Sequence, residues 1–324
     1  MGYKVSILVP IYGVEKYIER CARSLFEQTY HNIEYVFVND CTKDNSIDIL
    51  LAVLAQYPNR KGQVKVIHHE HNKGLSGARN TAIANMTGDY LWHVDSDDYI
   101  STNAVELLLS KIQETNADVV IMGQTNVYQY KTEIFAIKQY DKHEYIKQLL
   151  LSSIGASMWN KFYKSSLYKQ IGILSIEGIG QGEDFAVVPR ILHYASKIEW
   201  LNEPLYFYNL ANQSSYSNNI SVASIKSLKK ANDIIYDFFK DIEIYKEVVE
   251  VLHLRSMLFL IKTSCKDRYN DIINTYNNVD LRKVTRKISL SDKLVLFLIR
   301  MRWFGICESL VSYRRKRKYF DKKR

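Results

Sequence analysis

The chain has 324 residues, 47% of them hydrophobic, and can bury a substantial core, which excludes disorder as its main state. Its four cysteines lie far apart without a CxxC pair, so neither a cysteine zinc site nor a disulfide framework is expected. The net charge of +9 belongs to one segment, because residues 282–324 hold 15 Lys and Arg against three Asp and Glu.

The N-terminal segment Val5–Pro10 is an apolar run too short for a signal peptide, and it predicts a buried strand. No stretch reaches the roughly 18 uncharged apolar residues of a transmembrane helix, and the nearest approach is Leu294 to Ile299. Together with the scattered cysteines, these features predict a cytoplasmic protein. Any membrane contact is expected to be peripheral, on the inner face of the plasma membrane.

The first 125 residues alternate apolar with amphipathic segments, which is the pattern of βα units that build a mainly parallel sheet. Strands are predicted at Val5–Val9, Tyr35–Asn39, Val64–His68, Tyr90–Val94 and Val119–Met122. Helices are predicted between them at Glu15–Gln28, Asn45–Ala55, Ser76–Met86 and Ala104–Thr115. The predicted fold class is therefore α/β, with a Rossmann-like, mainly parallel sheet flanked by helices.

The middle of the chain, residues 128–209, is rich in glycine and predicts loops that contact substrate. After Val222 the pattern becomes helical, with long runs at Ile225–Phe239 and Tyr245–Ile261. We therefore expect an α/β region at 1–220 and a C-terminal α-helical appendage at 221–324.

Polar residues follow several of the predicted strands. Tyr12 comes after the first strand, Asp40 after the second and Asp95 after the fourth, while Arg79 lies in the helix before that fourth strand. In open α/β sheets, ligands bind at the carboxyl ends of the strands. These side chains are therefore predicted to meet in one crevice.

The sequence Asp95-Ser96-Asp97-Asp98 places three carboxylates directly after a buried strand. Like charges repel there unless a cation or a helix dipole compensates, and hard divalent cations prefer carboxylate oxygens. In an extended segment Asp95 and Asp97 would point to the same side, so that one could hold a ribose and the other a metal. The alternative is an acidic N-cap cluster for a helix that begins near Ser101.

Four motifs in this order resemble those of family 2 glycosyltransferases. They are Val5–Tyr12, Asn39–Ser46, Asn72–Asn80 and Asp95–Asp98, which together lie within about the first 100 residues. Four ordered motifs are far more specific than a single Asp-x-Asp, which occurs by chance.

The resemblance implies a GT-A fold, a nucleotide-diphosphate sugar donor, with UDP-sugar as the first choice, and inversion at the anomeric carbon by direct displacement. It also implies a divalent metal, Mn²⁺ or Mg²⁺. In this scheme Tyr12 packs on the base and Asp40 recognises it. The full set of implied donor contacts is Pro10, Tyr12, Asp40, Arg79, Asp95 and Ser96, and the implied metal ligands are Asp97 and Asp95.

Two of these residues have plainer interpretations when taken singly. Tyr12 could be a core aromatic residue in a chain with 24 tyrosines, and Arg79 could form an ordinary surface ion pair. Cys41 stands where the family often has glycine, which leaves the turn after Asp40 open.

Glu183 and Asp184 precede an apolar helix predicted at Phe185–Ala195 and resemble the Glu-Asp motif of the family. The resemblance makes Asp184 the general base that deprotonates the acceptor hydroxyl, with Glu183 in support. Sugar hydroxyls are poor nucleophiles, and such proton removal contributes about 10²–10⁴ in rate. The plainer interpretation is that both carboxylates only favour the helix N-terminus, which is worth about 0.3–1 kcal/mol.

The segment Trp159-Asn160-Lys161 resembles a family segment on the acceptor side. Trp159 could offer its ring face to a sugar, or it could be a core aromatic residue. His93, beside the aspartate cluster, is predicted to be a core residue with satisfied hydrogen bonds.

The segment Pro204–Tyr208 resembles a later family strand that is commonly followed by an arginine. Here Asn209 replaces that arginine, so the resemblance predicts weak diphosphate contacts from this side. Ser214, Ser215 or Tyr216 would be weak substitutes.

The C-terminal segment joins an apolar face with aromatic residues, within Leu294–Phe304, to clustered cations at 314–318. This combination suits an interfacial segment on an anionic membrane, and a packed helix with a solvated basic end is an equal alternative. In the resulting scheme residues 1–125 bind the nucleotide sugar, 126–220 supply the acceptor side and the base, and 221–324 form the helical region with the basic tail.

Two other functions compete with glycosyl transfer. A sugar nucleotidyltransferase usually needs an N-terminal Gly-rich phosphate loop, which Pro10–Val14 does not supply. A nucleic-acid-binding protein could use the basic tail, but the aspartates would then have no role. We expect a glycosyltransferase of cell-surface polysaccharide synthesis, with a glycan or lipid-linked acceptor and no nucleic-acid partner.

Overall fold

A buried strand, β1 (Val5–Ile11), forms the middle of the motif-bearing half of the protein. The computed structural model describes residues 2–152, 154–212, 221–277 and 288–321, without the side chains of 314–321. These residues form two compact units, one from the described parts of 1–146 and 156–215, the other from those of 147–155 and 216–324.

The first half of the sheet in unit one is parallel. Strand β1 lies between β2 (Ile33–Asn39) and β4 (Tyr90–His93), and β3 (Val64–His68) pairs with the outer side of β2. The connections are α1 (Ile18–Phe26), α2 (Ser46–Leu54), the 3₁₀ helix Pro58–Gln63 and α3 (Gly74–Asn85). The predicted α/β fold class is confirmed, and the predicted elements differ from these by a few residues at their ends.

The second half of the sheet is mixed. Its strands are β5 (Tyr99–Ile100), β6 (Val119–Val127), β7 (Thr132–Phe135), β8 (Lys161–Lys164) and β9 (Ile198–Asn209). The strand order is β3-β2-β1-β4-β8-β6-β9-β5, with β7 paired to β6, and both neighbours of β8 are antiparallel to it. The description "mainly parallel" therefore fits the first four strands, and the sheet as a whole is mixed.

Strand β9 changes register beside Gly123, where Gly123 pairs with Pro204. A Cβ atom on Gly123 would lie 2.8 Å from the backbone oxygen of Glu203, so this close approach requires glycine. Beyond the bulge, Tyr206 and Phe207 of β9 pair antiparallel with β5, and the strand ends at Asn209. This path brings the end of β9 to the turn that follows β4.

The remaining helices of this region are α4 (Ala104–Thr115), α5 (Lys142–Leu150), α6 (Ser165–Ile171) and α7 (Glu183–Tyr194). The core of unit one is a cluster of buried side chains from β1, β2, β4, α1 and α4, and it includes Trp92 and Trp159. Alternating apolar stretches in the sequence thus become strands covered by amphipathic helices.

Unit two is helical in its described parts. Its elements are α8 (Val222–Phe239), the 3₁₀ helices Glu243–Tyr245 and Lys266–Arg268, α9 (Lys246–Val249), α10 (Leu252–Thr263), α11 (Tyr269–Thr275), α12 (Leu290–Arg300) and α13 (Phe304–Asp321). The predicted helix Tyr245–Ile261 is broken between Val249 and Leu252. One straight helix would point Val249 and Val251 about 200° apart, whereas the break allows both to be buried. None of the described helices combines the length and the apolar character that crossing a membrane requires.

Candidate active site

The Asp95–Asp98 segment is a turn rather than an extended strand. The backbone N–H of Asp98 donates to the backbone oxygen of Asp95 at 3.1 Å, so the expectation of an extended segment with Asp95 and Asp97 on the same side is wrong. The N-cap alternative is also wrong, because α4 begins at Ala104 with Asn103 as its N-cap residue. The carboxylates are therefore free of helix capping and available for other contacts.

Asp98 is the most deeply buried of the three aspartates in the turn. Its carboxylate accepts hydrogen bonds from the Tyr206 hydroxyl and the Asn209 backbone N–H, both at 2.7 Å. The Tyr206 hydroxyl in turn accepts from the Asp95 backbone N–H at 3.1 Å. Strand β9 thus fixes the shape of the turn, a role that sequence reasoning did not assign to Tyr206.

Asp97 is partly exposed and is held by two asparagines. Its Oδ2 accepts from the Asn212 side-chain amide at 2.8 Å, and its backbone oxygen accepts from the Asn209 amide at 3.2 Å. Asn209, which stands where the family commonly has arginine, is therefore buried against the turn. The candidate substitutes Ser214, Ser215 and Tyr216 lie outside the described residues.

Arg79 is a buried cation surrounded by three carboxylates. Its side chain is only 1% exposed, which excludes the surface ion pair. One terminal nitrogen donates to Asp95 at 3.1 Å, and the other donates to Asp184 and lies 3.6 Å from Glu183. Arg79 thus lies near the other motif residues, as predicted, and its guanidinium contacts carboxylates of the protein.

Asp184 lies in the first turn of α7, next to Glu183. Besides the contact with Arg79, its Oδ2 accepts from the Met158 backbone N–H at 3.0 Å. The N-cap of α7 is Gly182, with φ +90°, a conformation that favours glycine. The two carboxylates therefore do more than favour a helix N-terminus, because Arg79 joins Asp184 to Asp95.

The charges of this cluster do not balance, since one guanidinium faces three carboxylates. Burial raises the pKa of Asp95 to about 6. The charge of Arg79 acts to lower this pKa, and the charge of Asp184 acts to raise it. Burial, followed by the charge of Asp184, also raises the pKa of Glu183. Burial alone would lower the pKa of Arg79, but the three carboxylates raise it. An added cation would therefore be stabilised here.

Asp40 is buried at the end of β2, with a side chain only 3% exposed. Its Oδ1 lies 2.7 Å from both the backbone nitrogen of Lys73 and Nδ1 of His69. The implied contact of Asp40 with the base would need an accessible carboxylate, whereas the loop after β3 folds over Asp40. Asp40 anchors that loop and the start of α3.

The turn after Asp40 tolerates Cys41 in a position that suits glycine. Cys41 has φ +61°, in the left-handed region, which accounts for the glycine that the family often has there. The side chain of Asn39 accepts from the Thr42 backbone N–H at 2.9 Å and closes the turn. The turn therefore keeps its shape at a conformational cost.

We expect Asp40→Ala to destabilise the protein by about 1–3 kcal/mol, because it leaves the Lys73 N–H and the buried His69 ring without their acceptor. Asp40→Asn keeps one acceptor oxygen and should cost less. Urea unfolding of both variants, with UDP affinity measured in parallel, tests this. Unchanged stability of Asp40→Ala would show that the carboxylate does not hold the loop, and unchanged UDP affinity would remove it from donor binding.

The three remaining donor-side residues differ in accessibility. Tyr12 is 55% exposed, so the core alternative is wrong and its ring is open to stacking. Pro10 is buried within β1, and Ser96 is 5% exposed inside the turn. The side chains of Pro10 and Ser96 are thus not accessible for the predicted direct contacts with a donor.

Trp159 belongs to the core, where its ring stacks on Tyr206 and Tyr208 with centroid distances of 4.4 and 5.1 Å. Of the two alternatives for Trp159, the structure therefore shows the core aromatic residue, and its ring is not open to an acceptor sugar. The buried Lys161 amine donates to the Ser157 oxygen and to the Asn160 side chain, each at 2.6 Å. Trp159 and Lys161 thus stabilise the segment that carries Met158, whose backbone N–H donates to Asp184.

Burial lowers the pKa of Lys161 to about 7, with the charge of Asp184 acting in the opposite direction. His93 is also buried, and burial followed by the charge of Arg79 lowers its pKa well below the usual value. Within the described part of the chain neither ring nitrogen of His93 has a hydrogen-bond partner. The expectation of a core residue was right, and that of satisfied hydrogen bonds was wrong.

Asp95 and Asp97 can be tested as metal ligands from their donor atoms. Each has one oxygen engaged by Arg79 or Asn212, and no hydrogen bond to the second oxygen is recorded among the described residues. No group of three Asp, Glu, His or Cys side chains suited to a metal occurs in the described ranges. Mg²⁺ and similar ions at nucleotide sites need only one or two carboxylates, with phosphates and water completing the shell. The pair therefore fits such an ion.

The chain is similar to a known protein family and to named members of related function. The family model described as "Glycosyl transferase family 2" matches residues 6–175, which is more than half of the chain. The protein named glycosyltransferase GlyA, from Streptococcus pneumoniae, is 30% identical over 272 residues, covering 76% of this chain. The match spans only 37% of the length of GlyA.

Two solved structures are similar in fold. Residues 1–349 of TarS from S. aureus, crystallised with UDP-GlcNAc, have a TM-score of 0.76 at 20% identity, covering 97% of this chain and 92% of that one. TarS is named as a poly(ribitol-phosphate) β-N-acetylglucosaminyltransferase. The mannosyltransferase PcManGT from Pyrobaculum calidifontis, in complex with GDP-Man and Mn²⁺, has a TM-score of 0.56 at 13% identity, covering 97% and 85%.

Proposed function

Because the chain belongs to glycosyltransferase family 2, we propose that it transfers a sugar from a UDP-sugar to a hydroxyl of a glycan or lipid-linked acceptor, with inversion. The proposed donor follows from the resemblance and from TarS, a protein of similar fold that was crystallised with UDP-GlcNAc. A hydroxyl-bearing polymer as acceptor agrees with the name of TarS, which gives poly(ribitol-phosphate) as the acceptor of that protein. The pathway would be cell-surface polysaccharide synthesis.

One observation carries the proposal, namely the buried Arg79 that contacts Asp95 on one side and Asp184 on the other. Asp95 belongs to the Asp-x-Asp turn, the proposed donor side, and Asp184 is the proposed base. The guanidinium of Arg79 thus contacts both the proposed donor side and the proposed base at the carboxyl end of β4. Positioning of this kind is a main source of catalysis when two substrates must meet.

In the proposed reaction the oxygen of the acceptor hydroxyl attacks the anomeric carbon while Asp184 accepts the hydroxyl proton. The bond between the anomeric carbon and the UDP leaving group breaks as the new bond forms. The hydrogen bond from the Met158 backbone and the contact with Arg79 hold the carboxylate in place. The proposed role of Glu183 is support, and its raised pKa keeps negative charge from accumulating beside Asp184. Tyr12 would stack on the uracil ring.

A divalent ion, Mn²⁺ or Mg²⁺, would be held by Asp97 and Asp95 together with the diphosphate oxygens. When bound, it would supply positive charge that stabilises the leaving diphosphate. The mannosyltransferase of similar fold was solved with Mn²⁺ and GDP-Man. The three carboxylates around the single guanidinium of Arg79 also favour the binding of a divalent cation.

We propose that residues 1–125 bind the donor, that 126–220 supply the base and the acceptor side, and that 221–324 form a helical region. The cations of residues 282–324 would attach the protein peripherally to an anionic inner membrane leaflet. Family membership favours glycosyl transfer over nucleotidyl transfer and over nucleic-acid binding, neither of which uses Asp184 as a base.

Thermal shift against a panel of UDP-, GDP- and dTDP-sugars with Mn²⁺ tests the donor assignment. A ligand at 100 times its Kd stabilises the folded protein by about 2.7 kcal/mol, an easily measured effect. We expect UDP-sugars to stabilise the protein and the others to have little effect. Stabilisation by GDP- or dTDP-sugars alone would replace UDP as the donor nucleotide, and a response to none of them would contradict nucleotide-sugar binding.

A further inference from the structure

Helix α12 in unit two has an exposed apolar face. Leu290 is 83% exposed, Leu294 42%, Phe297 52% and Met301, directly after the helix, 47%. These residues follow one another at intervals of four, three and four, so they lie on one side of the helix. We name these four side chains the α12 outer face.

The opposite side of α12 already supplies the core of unit two. Val295, Leu296, Leu298 and Ile299 are each no more than 5% exposed and belong to the cluster that includes residues of α10 and α11. Packing against this core fixes the rotation of α12, so the outer face cannot turn inward. A helix that is apolar on both sides needs a second apolar environment.

Aromatic and aliphatic side chains extend this surface beyond the helix. Trp303 is 48% exposed, and its ring contacts that of Phe297 at a centroid distance of 6.2 Å with the planes 86° apart. Ile306, in the first turn of α13, is 58% exposed. Tryptophan beside aliphatic side chains is typical of the boundary between lipid and water.

Cations border the outer face. Lys293, Arg300 and Arg302 are exposed, and no ion pair is recorded for any of them among the described residues. Anionic headgroups would complement these charges. A second copy of the same face would bring like charges together, which argues against self-association as the explanation for this surface.

We propose that the α12 outer face docks on an anionic lipid bilayer, with Leu294 and Phe297 inserted among the acyl chains near the headgroups and the bordering cations at the phosphates. This inference deepens the proposed membrane attachment and rests on it. It assigns the attachment to apolar insertion by α12 rather than to the terminal cations alone. In this proposed placement α12 would lie along the interface, with its outer face toward the lipid.

The test uses the full chain in flotation with vesicles of phosphatidylcholine, with and without phosphatidylglycerol. The double variant Leu294→Ser/Phe297→Ser is compared with Ile134→Ser/Phe135→Ser, which removes an apolar pair on β7 that is 72% and 59% exposed. We expect the α12 variant to bind anionic vesicles about 10-fold more weakly or worse, because the inserted apolar area is lost. The β7 variant should bind like the parent.

Each further outcome decides between explanations. Equal vesicle binding by the parent and the α12 variant would overturn the assignment to α12 while leaving attachment through the tail. Failure of the parent to bind either vesicle would overturn the attachment as well. A parent dimer that the α12 variant converts to a monomer, with vesicle binding unchanged, would show that a second copy covers the face. Donor-induced thermal shift, measured on all three proteins, reports on the proposed enzymatic function separately.

Discussion

Asp184→Asn is expected to lower glycosyl transfer by about 10²-fold or more, with donor and metal affinity nearly unchanged. The amide can still accept the hydrogen bond from the Met158 backbone, but it cannot take the proton of the acceptor hydroxyl. The measurement is transfer at saturating donor and acceptor, accompanied by donor-induced thermal shift with Mn²⁺. Binding should survive while the chemical step fails.

The structure adds a stability effect to this prediction, because Asp184 is a charge partner of the buried Arg79. Breaking a buried ion pair costs up to about 3–5 kcal/mol, although Asp95 and Glu183 still face the guanidinium here. Transfer should therefore be assayed well below the melting temperature of the variant, so that unfolding does not imitate a catalytic loss.

Glu183→Gln is the matched comparison for Asp184→Asn. Because burial and the neighbouring Asp184 raise the pKa of Glu183, the neutral amide resembles its protonated form, and a smaller loss of transfer is expected. Transfer by Asp184→Asn within a few-fold of the parent would remove Asp184 from the mechanism. Glu183 would then be the next candidate for the base.

Asp97→Asn is expected to abolish the metal-dependent part of donor binding. A neutral amide cannot replace an anionic ligand where an ion must offset a diphosphate. For the parent, donor at 100 times its Kd with Mn²⁺ should stabilise folding by about 2.7 kcal/mol, and most of this stabilisation should disappear in the variant. The hydrogen bond from Asn212 can persist, since the new side chain keeps one oxygen acceptor.

Asp237→Asn is the control for the change in net charge, because Asp237 is an exposed residue of α8 with a side chain 68% accessible. This variant should bind donor and Mn²⁺ like the parent. If Asp97→Asn also keeps full Mn²⁺-dependent affinity, Asp97 is not a metal ligand. Loss of affinity in both variants would indicate a general electrostatic effect and would equally contradict a specific site.

The sequence alone predicts the parallel half of the sheet because its strands and helices follow local patterns, and the motifs nominate candidate site residues in the same segments. Apolar runs such as Val5–Val9 alternate with amphipathic helices, and the motifs at Asn39–Ser46 and Asp95–Asp98 lie at or directly after strand ends. The mixed half was less predictable, since β5 and β9 pair across about 100 residues through a bulge that depends on Gly123. Long-range pairing leaves no periodic signal in a single sequence.

Accessibility could not be predicted for single residues of the site. Asp40 and Trp159 were expected to face ligands, yet a loop covers the first and two tyrosines stack on the second. Tyr12 is chemically similar to other aromatic residues of the chain and is nevertheless open. Which side chain is covered depends on segments distant in sequence, and composition around a residue does not reveal them.

The sequence by itself thus determined the fold class, the family and the chemical types gathered at the carboxyl ends of the strands. Only the tertiary structure decided that Arg79 lies between Asp95 and Asp184, and that Tyr206, Asn209 and Asn212 hold the aspartate turn. The reason is physical, because local propensity and periodicity act over a few residues. The partners of a buried charge are instead chosen by packing, which joins residues more than 100 positions apart.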